Sequence, residues 1–143
     1  MQLLLEGLEG PELEKFAPLL KTTRLAADQY VFRENEPCQG VYLIKSGKLE
    51  ISKTTPDGWK QPLAMLSKGQ FLGEIALLKK TSHASDARAI EPTELLFLPR
   101  ETFEEMEKKE PAVMLKIIKN IAIITGLNVR RMNEKFVKAL VNY

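Results

Sequence analysis

Few side chains in this sequence can make or break bonds, and their spacing narrows the options further. There is one histidine, His83, and one cysteine, Cys38. A metal centre needs several imidazole, thiolate or carboxylate ligands gathered together. One histidine does not supply them, and Cys38 has no second ligand near it in sequence. A nucleophilic pair would have to use His83, and Ser82 and Ser85 are too close along the chain to form one. No catalytic residue, metal site or cofactor is expected, and the chain is read as a non-enzyme. What remains is binding chemistry, concentrated in FLGEIALLKKTSHAS, residues 71–85. This stretch holds a glycine, a carboxylate, a short apolar turn, two lysines and the histidine. Glu74 can cap the first turn of its own short helix. With SHASDARAI read as a strand, residues 83, 85 and 87 share one face and 84, 86 and 88 the other, so Arg88 points away from His83. Lys79 and Lys80 are either a solvated turn or cations able to swing in.

The bulk numbers fit binding by an ordinary domain. The 143 residues suit one core. Hydrophobic residues at 44% and charged residues at 28% are a common globular composition. A net charge of +2 does not by itself imply nucleic acid. A lone cysteine forms no internal disulfide, so an oxidising compartment is not indicated. MQLLLEGLEG lacks a basic n-region and a long apolar core, which makes it a poor signal peptide. The apolar run IAIITGLNV, between Lys119 and Arg130, is too short to cross a bilayer. A cytoplasmic protein without membrane contact is expected.

The elements that must position residues 71–85 change texture twice. GPELEKFAPLLK, residues 10–21, predicts a short helix with Pro11 in its first turn and Pro18 ending its regular part. From Thr22 to Leu98 the pattern is one of strands. YVFR, GVYLIKSGKLEISK, PLAMLS, DARAIE and ELLFLP are short, β-branched or aromatic, and separated by turns such as Ser46-Gly47 and Pro56-Asp57-Gly58. Val41, Leu43 and Lys45 alternate with Tyr42 and Ile44, as in a half-buried strand. Crossover helices are missing, so the sheet is antiparallel. The fold class expected is mainly β: an antiparallel, jelly-roll-like β-roll over residues 22–98, with a short N-terminal helix and a long C-terminal helix. Beyond Pro99 the period is helical again, with one helix over 100–110 and a long one over 111–140. On the long helix Leu115, Ile118, Ala122, Thr125, Val129, Met132, Phe136 and Ala139 step by three and four, a heptad seam. Met114, Ile117, Ile121 and Ile124 form a second row. One seam can pack on the roll while the other meets a partner helix, which predicts a homodimer through residues 111–140. Gly126 costs the helix about 1 kcal/mol relative to alanine and allows close approach or a bend.

This order of elements resembles the cyclic-nucleotide-binding domain, as found in catabolite activator protein and in the regulatory subunit of cyclic-AMP-dependent kinase. YVFRENEPCQGVYLIKSGKLEI, residues 30–51, is similar to the family's aromatic, turn and aromatic-x-isoleucine-x-x-glycine pattern. Asn35 stands where the family usually has glycine and tolerates positive φ nearly as well. FLGEIALL is very similar to the start of the family's phosphate-binding cassette. The resemblance implies a ligand site at Gly73, Glu74, Ile75, Ala76, His83, Ala84 and Ser85. Gly73 would let the backbone approach the ligand, Glu74 would accept a hydrogen bond from the ribose 2′-hydroxyl, and the turn from Ile75 would face the cyclic phosphate. By count along the long helix, Asn128 would close over the base; it could equally fix a dimer register.

His83, Ala84 and Ser85 stand where the family has arginine and two small residues. Arginine meets a phosphate with two parallel charge-assisted bonds and is always protonated. Histidine offers one N–H at a time and is mostly neutral at pH 7. Hydrogen bonds to charged groups contribute about 1.5–3 kcal/mol each, so losing one or more weakens binding roughly 10- to 1000-fold. Three readings of His83 stay open: a surface loop residue in a pocket that no longer binds nucleotide, a weak phosphate ligand when protonated, or part of a pocket re-tuned for another small anion.

The expected function is a non-catalytic, ligand-sensing regulatory domain whose affinity for cyclic AMP or cyclic GMP is weakened or lost. The alternatives are a dimerisation or scaffold module, or a fragment of a transcription regulator, binding no nucleotide. The chain stops at Tyr143, close to the end of the long helix, so no helix-turn-helix is expected and no reading of DNA by this chain alone. Residues 1–143 are expected to be a single domain. The basic residues Arg130, Arg131, Lys135 and Lys138 read as a solvated helix tail.

Overall fold

A computed structural model describes residues 4–142. The chain opens with α1 (Gly10–Phe16), whose carboxylate-based capping box uses Glu9 and Glu12 and which has Pro11 in its first turn. A 3₁₀ turn (Ala17–Leu19) follows, where Pro18 cannot continue the α-helical ladder. Eight strands make the roll: β1 (Lys21–Leu25), β2 (Tyr30–Phe32), β3 (Gly40–Ser46), β4 (Leu49–Thr54), β5 (Lys60–Leu66), β6 (Phe71–Leu72), β7 (Asp86–Ala89) and β8 (Thr93–Pro99). Helix α2 (Glu74–Lys79) interrupts them between β6 and β7, and α3 (Arg100–Lys109) and α4 (Pro111–Val141) close the chain.

The strands form two four-stranded sheets, ordered β1-β8-β3-β6 and β2-β7-β4-β5, with every pairing antiparallel. The fold is thus the expected mainly β roll with a short N-terminal and a long C-terminal helix. Strand β3 departs from the expectation of a half-buried strand, because Gly40 to Ile44 are all buried. Both of its faces are covered. Tyr42 and Ile44 enter the core between the sheets with Phe32, Leu49, Leu72 and Leu95. Val41 and Leu43 face the helices, meeting Phe16, Phe103, Met114 and Ile117. Truncating a core aromatic such as Phe16, fully buried, costs about 3–5 kcal/mol in typical cores.

Helix α4 separates its two apolar rows. Met114, Ile117, Ile121 and Ile124 are buried on the roll. Leu115, Val129, Met132 and Phe136 of the heptad seam are exposed, as are Val137 and Leu140 outside it, while Ile118 of the seam packs on the core. After Ile124 no residue of the helix is buried. Gly126 has open space around it, with nothing within 4 Å of where a Cβ would stand. The first half of α4 is also held from the N-terminal side. Asn120 Nδ2 donates to the carbonyls of Leu4 and Glu6 at 2.7 and 2.8 Å. Lys116 meets Glu12 at 2.6 Å and Lys15 meets Glu110 at 2.9 Å. By length and composition α4 is long and apolar enough to cross a membrane, unlike the shorter run judged from the charges that flank it. Part of that apolar character is the row packed on the roll.

Candidate ligand cleft

The short β6 and α2 build one wall of a cleft, and the loop from Thr81 to Ser85 builds another. Gly73 joins β6 to α2 with φ +88°, a left-handed conformation. A Cβ there would lie 2.9 Å from the Gly40 carbonyl oxygen, so only glycine fits without a shift. Asn35 adopts φ +72°, the conformation expected where the family has glycine. That turn holds the far wall: the Asn35 N–H donates to the His83 carbonyl at 2.8 Å, and the His83 N–H donates to the Glu36 carbonyl at 3.0 Å. Pro37 and Ser82 form a β-bridge beside them. Residues 83–85 are therefore loop, and β7 starts only at Asp86. The strand alternation assumed for them does not apply.

The cleft has a volume of about 310 Å³ and is lined by residues 71–76 and 81–85 together with Phe32, Ile51 and Leu66. Gly73, Glu74, Ile75, Ala76, His83, Ala84 and Ser85 all reach it. Asn128 does not. It lines a separate groove of about 90 Å³ with Lys68, Gln70 and Arg131, where α4 leaves the roll. Counting residues along a helix has no register to anchor it, and the helix turns this position toward the β5–β6 turn. Phe32 and the hydroxyl residues Thr81 and Ser82 were missed as lining residues. The aromatic of YVFR was visible in sequence, but its meeting with His83 spans two strands and has no local signal.

His83 is not a surface residue, which corrects the surface placement in the first of its three readings. It is 4% exposed and lies flat on Phe32, ring centroids 3.6 Å apart and planes 1° apart. Its Cε1 is 3.5 Å from the point a Gly73 Cβ would occupy, so the ring edge faces the cleft beside α2. Neither ring nitrogen has a hydrogen-bond partner among the described residues; of the fully enclosed side-chain polar atoms there, the Ser52 hydroxyl alone lacks one. The imidazole nitrogens therefore keep contact with the open side of the cleft. Burial pushes the His83 pKa below the usual histidine value, with the Glu36 carboxylate opposing it. Burial raises the Glu74 carboxyl above its usual range, partly offset by the residue's own amide N–H.

Neither lysine nor arginine lines this cleft among the described residues. Arg88 is held elsewhere, bonded to Asp28 Oδ1 at 2.6 Å and to Glu50 Oε1 at 3.4 Å. Lys80 opens on a different cleft behind α2, with Cys38 and Arg100. Cys38 is buried, its thiol directed to the Gly40 carbonyl at 3.4 Å, and burial raises its pKa.

Residues 22–110 match the model of the cyclic nucleotide-binding domain. The chain belongs to the cyclic nucleotide-binding domain family. It is similar to the cyclic AMP receptor protein of Thermus thermophilus, 30% identical over 110 residues that cover 77% of this chain and 51% of that protein. The crystal structure of the Thermus thermophilus catabolite activator protein superposes with a TM-score of 0.72 at 27% identity, over 97% of this chain and 62% of that one. A lysophospholipase of Chaetomium globosum is 30% identical over 103 residues, 72% of this chain and 7% of that enzyme. The cyclic nucleotide-binding domain thus occurs in these relatives as one part of a longer protein. The cleft described above lies within the matched residues, on the cassette that carried the resemblance.

Proposed function

We propose that this cyclic nucleotide-binding domain is a ligand-sensing regulatory module without catalysis of its own, in which affinity for cyclic AMP and cyclic GMP is weakened or lost. The observation that carries this reading is the missing cation. The position read as the family's arginine is a buried imidazole whose pKa burial pushes below the usual histidine value, and among the described residues no lysine or arginine lines the cleft. A phosphate there would meet Glu74 without a counter-charge. The His83 readings that stand are a pocket that no longer binds nucleotide, a protonated phosphate ligand, or part of a re-tuned pocket. Burial works against the protonated-ligand reading, because protonation must be drawn out by the ligand itself. Calorimetric titration with cyclic AMP and cyclic GMP at pH 5.5 and pH 8 tests the proposal. Millimolar or undetectable affinity at pH 8 supports it. Micromolar affinity that is independent of pH contradicts it.

The exposed seam of α4 supports a homodimer through residues 111–140. A cluster of Val129, Met132 and Phe136, each about half exposed or more, is the kind of surface that a partner helix covers. A sensing role needs a ligand that binds two positions of this helix with different affinity. A dimer that ignores every ligand would favour the scaffold reading, and a partner segment reading DNA the regulator-fragment reading.

A further inference from the structure

The charges around the cleft are arranged the wrong way for an anion. Among the described residues Glu74 is its sole charged lining residue, while Lys80 and Arg100 line a separate cleft. We propose that the cleft binds a small molecule with an apolar body and no negative charge, which donates a hydrogen bond from a hydroxyl or amino group to Glu74 and exchanges another with the His83 imidazole. This rests on the ligand-sensing reading and names the class of ligand that reading leaves open.

Three observations carry the inference. His83 is a buried residue at 4% exposure, its ring nitrogens have no protein partner among the described residues, and they open on the cleft. A ligand seated there can exchange a hydrogen bond with them in place of water. The ring is stacked on Phe32 and fixed through its backbone to residues 35 and 36, so it is pre-organised. The remaining wall is largely apolar, with Phe32, Ile51, Leu66 and Phe71. The volume of about 310 Å³ is at the lower end of the range of about 300–1,000 Å³ for small-molecule sites, which suits a metabolite-sized ligand. Neutral imidazole can donate from one nitrogen and accept at the other. Glu74 accepts. A hydroxyl or amine satisfies both, while a carboxylate or phosphate offers only acceptors and adds like charge beside Glu74.

The single histidine provides a direct readout, since its Hε1 proton gives one NMR resonance from within the site. The whole chain at pH 7.5 is titrated with matched amines, alcohols and carboxylates built on phenyl, indolyl and cyclohexyl bodies, and with cyclic AMP. Amines and alcohols are expected to shift the His83 resonance and saturate it, with the matched carboxylates at least tenfold weaker. In Glu74→Gln the penalty on the carboxylates should shrink. In His83→Phe, which keeps the stack on Phe32, alcohol and amine binding read from methyl resonances should weaken about fivefold or more. Carboxylates that bind as well as their alcohols overturn the inference, as does silence from every amine and alcohol. Tighter binding of cyclic AMP than of all the fragments overturns it and the weakened-affinity claim while leaving a sensing domain. Silence from every probe, with no cyclic AMP binding by His83→Arg, overturns both readings.

Discussion

The His83 imidazole lies parallel to the Phe32 ring at 3.6 Å. That contact joins the end of β2 to the loop before β7, and it buries a residue that lines the cleft. It fixes the ring plane and shields one face from water. The consequences concern protonation, folding and ligand choice.

Acid should weaken the fold through this residue. The folded His83 pKa lies below the ordinary value of 6.5. As pH falls through 6.5 the unfolded chain takes up a proton before the folded one does, so stability is lost between 6.5 and the lower folded value. Glu74 acts in the opposite sense: its folded pKa is raised above 4.5, so within that window the folded state holds the proton longer and stability rises as pH falls. Subtraction isolates the histidine. Thermal melts of wild type and His83→Phe from pH 8 to 5.5 should diverge below pH 6.5, with the wild type losing the more. Parallel curves would count against a buried neutral imidazole.

Two glycines should respond in opposite directions. Gly73→Ala forces a Cβ to 2.9 Å from a backbone oxygen at φ +88°, which should cost more than about 1–2 kcal/mol. Gly126→Ala meets nothing within 4 Å inside a helix and should stabilise by about 1 kcal/mol. Denaturant midpoints of the two variants give the comparison. A neutral Gly73→Ala would mean that the backbone does not need its left-handed turn.

The exposed seam of α4 predicts where association can be broken. Met132→Glu with Phe136→Glu, at 58% and 65% exposure, should convert a dimer to monomer in sedimentation velocity. The melting temperature of the roll should stay nearly unchanged, because neither residue packs on it. A wild type that sediments as a monomer at high concentration would remove the proposed interface.

Much of the fold was legible because it is written locally. The proline and glycine punctuation, the β-branched runs and the two rows of α4 all map onto elements that form, and Asn35 takes the positive φ its type allows. The cleft was partly legible as well, since Gly73 to Ala76 and His83 to Ser85, close together in sequence, line it together. What sequence did not carry is the state of His83. Its burial depends on Phe32, which lies 51 positions earlier and is brought there by the pairing of β2 with β7. The position of Asn128 was not legible either, because a helix running off the roll has no fixed register against it. The double burial of β3 was hidden for a related reason: alternation marks two faces but does not say that helices cover one and the second sheet the other.

The proposed exchange of arginine for histidine at position 83 is tested most directly by calorimetry with cyclic AMP on wild type and His83→Arg at pH 7.5. The variant should bind at least tenfold more tightly, within the roughly 10- to 1000-fold span expected from one or more charge-assisted hydrogen bonds. A wild type that binds cyclic AMP as tightly as His83→Arg would contradict the claim that this buried imidazole has weakened the site.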